Sequence, residues 1–181
     1  MPNKRIIAMV LAVAFILMVP LVAMQFTDEV AWTLSDFVVA GFLLLGTGLA
    51  YEFAVKKAAS NTYRLAVGLA VVSALMLVWV NLAVGIIGNE NNPANMIYFA
   101  VLAVGIIGAT AARLEPQRMA RALFAMAIAQ ALVSVIALII WKRQVISAEG
   151  SFGLVDLIGV NLFFVALFVG SALLFRHAAR N

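Results

Sequence analysis

The stretch whose reading decides the fold is Asn81–Arg113, NLAVGIIG-NENNPAN-MIYFAVLAVGIIGATAAR. Two apolar runs flank a seven-residue polar turn, so the segment reads as two membrane-spanning helices joined by a tight hairpin. Asn92 followed by Pro93 is a helix start: asparagine caps the first turn, and proline occupies a position whose backbone donor is not needed. The hexapeptide AVGIIG occurs twice, at Ala83–Gly88 and Ala103–Gly108. Both copies read as helix, with their glycines as contact surfaces. The repeat is taken as shared packing chemistry or chance and not as an inverted transporter repeat.

The rest of the chain has the same character. Of 181 residues, 66% are hydrophobic and only 11% charged, with a mean hydropathy of +1.12. Water-soluble domains carry about a quarter charged residues, so this composition points to lipid as the solvent. Apolar runs close to the ~20 residues needed to cross a bilayer recur along the chain. The expected spans are about 6–26, 37–55, 65–88, 94–112, 122–141 and 152–175. The fold class expected is therefore all-α: a polytopic six-transmembrane-helix bundle with short loops, forming one integral membrane domain over 1–181. A cleavable signal peptide is the rival reading of the first run, which is long for one. Pro20 inside that run removes a backbone donor and predicts a kink. Thr33-Leu34-Ser35-Asp36 has capping-box spacing and predicts the start of the second span.

The basic residues set the orientation. Lys4, Arg5, Lys56, Lys57, Arg64, Arg113, Arg118, Arg121, Arg176 and Arg180 fall on one side of six spans, and only Lys142 and Arg143 on the other. Asp28, Glu29, Asp36, Glu90 and Glu149 fall with the second group. The excess of Lys and Arg places both termini in the cytoplasm.

Several chemistries are excluded. There is no cysteine and a single histidine, His177, so thiolate metal sites, disulfides and a haem held by two histidines of one chain are out. No Walker loop, no HExxH and no Ser/His/Asp set is present. No enzyme, no cofactor, no metal and no nucleic-acid partner is expected.

What remains is a short set of polar residues inside or beside the spans. Asp156 lies in the second turn of the last span, where the helix dipole favours an acid, yet an intramembrane acid is also a functional candidate. Asn81 falls at a depth where it could meet Asp156. Asn161, five residues after Asp156, points about 140° away from it. Gln130 is mid-membrane and needs an interhelical partner. Glu90 sits among the asparagines of the outer turn, and turn and capping duties account for that cluster better than a metal. Glu52 precedes Lys56 by four residues, the favourable order for a helical pair. Asn81, Asp156, Gln130 and Glu90 are thus the candidate functional cluster. Gly85, Gly88, Gly105, Gly108, Gly159 and Gly170 are the candidate helix-packing positions. Arg176, His177 and Arg180 read as an anchor for anionic headgroups.

Three runs carry a family resemblance: PLVAMQFTDEVAWTLSDF (Pro20–Phe37), WVNLAVGIIGNENNPANMIYFAVLAVGIIGA (Trp79–Ala109) and RMARALFAMAIAQALV (Arg118–Val133). Together they resemble a group of small uncharacterised bacterial inner-membrane proteins. The resemblance implies a multi-pass protein of the bacterial inner membrane and brings no activity or site residue with it. The function expected is that of a non-catalytic accessory or scaffold subunit. Its expected partners are membrane lipid, a second copy of the chain in a homo-oligomer, or another membrane protein. A small-solute or ion transporter or channel is the alternative.

Overall fold

The computed structural model describes residues 2–56, 58, 60–140 and 153–180. Its helices are α1 (Pro2–Ala23), α2 (Leu34–Val55), α3 (Asn61–Ala83), α4 (Ile97–Ala112), α5 (Pro116–Ile140) and α6 (Leu154–Ala178), with a 3-10 turn at Pro93–Met96 leading into α4. The fold class is all-α. Taken with that turn, each of the six is long and apolar enough to cross a membrane, and the chain is an integral, multi-pass membrane protein by that measure. Contacts divide the chain into two compact units, Met1–Phe53 and Ala54–Asn181, where the sequence reads as one domain. Lys57, Trp141, Lys142, Arg143 and Glu149, used in the orientation argument or the span boundaries, lie outside the described residues.

The first unit holds α1 and most of α2. Arg5 Nη1 meets Glu52 Oε2 at 3.3 Å, Met9 lies against Gly48, and Leu17 lies 3.5 Å from where a Gly41 Cβ would stand. As the position rises along α1 it falls along α2, so the two helices run antiparallel. Glu52 is thus paired with Arg5 and not with Lys56 as the helical spacing predicts. Arg5 is exposed and Glu52 half-buried, a surface pair that adds little to stability. Asp36 starts α2 as its spacing predicts: its Oδ2 accepts from the Thr33 backbone N–H at 2.6 Å and from the Thr33 hydroxyl at 2.8 Å. The helix α1 runs through Pro20 to Ala23.

The second unit holds the other four helices. α5 packs against both α4 and α6, and α6 packs against α3. Small residues set the α4–α5 contact. A Cβ added at Gly108 would stand 2.7 Å from Ala122 Cβ, and one at Gly105 would stand 2.6 Å from Met126 Sδ. Neither site has room for a methyl group without movement, as expected where close approach holds helices together in lipid. The α3–α6 contact is tied by Ser171 Oγ, which donates to the Ala66 carbonyl at 2.8 Å, and by Tyr63 edge-on to Phe175 at 5.2 Å. Gly170 faces Leu69 of α3, while Gly159 meets nothing within 4 Å among the described residues. Among the described residues, Gly159 thus has no neighbour for the packing role its stripe suggests.

The turn at 84–96 departs most from the sequence reading. The third span ends at Ala83, not Gly88. Gly85 and Gly88 have φ of +72° and +77°, a left-handed backbone that glycine adopts without the steric cost borne by other residues. They are turn residues, not helix-contact positions. The same six letters are continuous helix at 103–108.

Candidate functional site

The polar groups gather in two places within the second unit. The first is the turn itself. Gly85, Ile86, Ile87 and Gly88 are buried, with both isoleucines fully so. A buried, non-helical backbone must find hydrogen-bond partners away from water. Asn95 supplies them. Its Oδ1 accepts from the Ile86 and Ile87 backbone N–H groups at 3.0 and 2.8 Å. Its Nδ2 donates to the Asn89 carbonyl at 2.7 Å. Its own backbone carbonyl accepts from Asn81 Nδ2 at 3.1 Å. Asn92 Nδ2 donates to the Ile87 carbonyl at 2.9 Å, and its Oδ1 accepts from the Ala94 N–H at 3.0 Å. Asn92 thus caps the turn before α4, as the Asn-Pro pair predicts. The asparagine side chains stand in for a missing backbone ladder.

The second place is the core between α4, α5 and α6. Gln130 and Asn161 are buried and Tyr98 is fully so. Gln130 Nε2 donates to Asn161 Oδ1 at 2.8 Å. Asn161 Nδ2 donates to the Tyr98 hydroxyl oxygen at 3.1 Å and to the Leu157 carbonyl, one turn earlier, at 2.7 Å. One amide therefore links three helices. Ala127, Val133 and Ala137 on α5, and Leu157, Phe164 and Phe168 on α6, are buried on the same helices and exclude water from the contact. Gln130 Oε1 is the one buried side-chain oxygen or nitrogen among the described residues that has no hydrogen-bond partner.

The four candidate residues do not form one site. Asn81 is buried and bonded to Asn95, not to Asp156. Asp156 is exposed, and its Oδ2 accepts from the Gly153 N–H at 3.1 Å, so it caps α6 and interacts favourably with the dipole there. Glu90 is exposed and accepts from Asn91 Nδ2 at 3.0 Å. Gln130 lies elsewhere, with Asn161 and Tyr98. Asn161 turns inward to this core, although it falls outside the Asp156 stripe. Its angular offset from Asp156 contained that signal, since the acid faces out. Asn95 reads from sequence as one more turn asparagine, and nothing in the sequence singles out Tyr98. Neither signals its buried role.

The described residues contain no group of three or more Asp, Glu or His placed to hold a metal ion. Comparison of the chain with protein-family models, with curated proteins and with solved structures returns no match.

Proposed function

We propose that this chain is a non-catalytic accessory or scaffold protein of the bacterial inner membrane, both termini cytoplasmic, that acts by packing against another membrane protein, a second copy of itself, or lipid. One observation carries this reading. The polar groups that could serve a substrate are spent on the fold: Asn81 and Asn95 on the turn, Asn161 on a three-helix link, Asp156 on a helix cap. Catalysis and transport need convergent groups free to engage a substrate. The bacterial inner-membrane setting is supported by the resemblance of the three quoted runs, and the orientation by the distribution of Lys and Arg.

The transporter or channel reading has one observation in its favour, the unpartnered Oε1 of Gln130. Reconstitution into liposomes separates the two. The scaffold reading predicts solute and ion flux no greater than in empty liposomes. A saturable flux that disappears in Gln130→Leu would overturn it.

A further inference from the structure

We infer that the α3–α6 pair carries a binding site for the phosphate of an anionic phospholipid, built by Arg64 and Arg176. It stands whether the chain acts as a scaffold or as a transporter.

The argument starts from the contact between Tyr63 and Phe175, the residues that immediately precede the two arginines. Their rings meet edge to face at 5.2 Å, so Tyr63 points toward α6 and Phe175 toward α3. A step of one residue turns a helix by about 100°. Viewed from this end of the unit, α3 recedes and α6 approaches, as the contacts of Ala66 with Ser171 and Leu69 with Gly170 require. The step from Tyr63 to Arg64 is therefore clockwise, and that from Phe175 to Arg176 anticlockwise. Starting from opposite directions, both turns arrive on the same side of the pair. Both arginines are exposed, whereas the aromatic residues before them are buried.

Their depth suits a headgroup. Arg64 is three residues into α3 and Arg176 two residues from the end of α6, within roughly 5 Å of each helix terminus. About two turns further into the membrane the same side is apolar: Val71 lies seven residues after Arg64 and Val169 seven before Arg176, a spacing that returns to the same face, and both are half-buried. Charge above an apolar face matches a phosphate above an acyl chain.

The charges are also uncommitted. The ion pairs among the described residues are Arg5–Glu52 and Arg118–Glu115. Glu90 and Asp156 belong to the opposite end of this unit. Guanidinium remains charged at any physiological pH and presents a planar fork that matches phosphate oxygens two at a time. Two such forks on one side of a helix pair favour an anionic lipid over a zwitterionic one, whose own ammonium they would repel.

Native mass spectrometry of the full chain tests this. The protein is exchanged through micelles holding equal phosphatidylglycerol and phosphatidylcholine, and the lipid retained is counted. The wild type should retain phosphatidylglycerol. Arg64→Gln/Arg176→Gln should weaken that retention on the order of 30-fold, at roughly fivefold per juxtamembrane cation. Arg118→Gln, at the same end but ion-paired, should leave it unchanged. Arg64→Lys/Arg176→Lys keeps the charge without the fork, protects against a folding defect in the first variant, and should show a smaller loss. Equal retention by wild type and the Gln double variant would overturn the site. So would an equal loss in Arg118→Gln, which would mark diffuse charge, or full displacement of the lipid by millimolar inorganic phosphate, which would mark a free-phosphate site.

Discussion

Asn95→Ala should unfasten the turn at 84–96 and leave the helices on either side in place. The side chain holds two buried backbone N–H groups, Ile86 at 3.0 Å and Ile87 at 2.8 Å, and returns a bond to the Asn89 carbonyl at 2.7 Å. Truncation to alanine leaves both donors unpaired beside fully buried isoleucines. Each buried orphan costs about 1–3 kcal/mol, although polar contacts in helical membrane proteins average nearer ~0.6 kcal/mol. Between those limits, the expected loss for two donors is about 2–4 kcal/mol. Asn81→Ala removes a single bond to the Asn95 main-chain carbonyl, at 3.1 Å, and should cost about 1 kcal/mol. The difference between the variants is the informative quantity, because both remove an asparagine amide from the same region. Reversible unfolding in mixed micelles of increasing denaturing detergent gives the two free energies. Amide hydrogen exchange reports the local effect: Ile86 and Ile87 should be protected in the wild type and exchange freely in Asn95→Ala. If Asn95→Ala costs no more than Asn81→Ala, or if the Ile86 and Ile87 amides stay protected, the account of the turn is wrong.

Three further outcomes follow from the core. Asn161→Leu should cost more than Gln130→Leu, by about 1–3 kcal/mol. The first strands the Gln130 amide and the Tyr98 hydroxyl, while the second also removes an oxygen that already has no partner. Equal losses in detergent unfolding would contradict the assigned hub. Gly108→Ala would set a methyl 2.7 Å from Ala122 Cβ and should cost about 1–3 kcal/mol as α4 and α5 separate. Gly159→Ala meets open space and should be neutral or gain up to about 1 kcal/mol from helix propensity. A reversed order in thermal unfolding would show that α4 and α5 do not approach there. Gly85→Ala should be worse than Gly108→Ala, since a Cβ would strike the Asn89 carbonyl on a backbone already at φ +72°; comparable midpoints would refute that.

Much of the architecture is legible in residue chemistry that acts over short range. Apolar length alone marks the six helices, because in lipid a spanning segment must satisfy its own backbone. Thr33 with Asp36 and Asn92 with Pro93 announce helix starts through side chains that can reach only their own neighbours. The hexapeptide AVGIIG shows where this legibility stops. At 103–108 it is helix against Ala122 and Met126, and at 83–88 it leaves the helix and is bonded to Asn95. The difference comes from a residue seven positions beyond the first copy, and no local pattern in the six letters contains it. The polar core is illegible for a related reason. Gln130 demands a partner by its depth, but which helix supplies one depends on how α4, α5 and α6 come together. Hydropathy that is nearly uniform around each helix does not encode that arrangement. The pairing of Asn81 with Asp156 fails because depth along two helices says nothing about whether their faces meet, and because capping already occupies Asp156.

The central claim is that the polar core of the second unit is a sealed structural link and not a path for solutes. The chain has no cysteine, so a single introduced thiol reports without background. Ala127 is 4% exposed and lies one turn before Gln130 on α5. Ala127→Cys in membrane vesicles should resist a small charged methanethiosulfonate reagent added to either side, and react only after the protein is unfolded in denaturing detergent. Rapid modification of the folded protein from one side would open the core to water and contradict the claim.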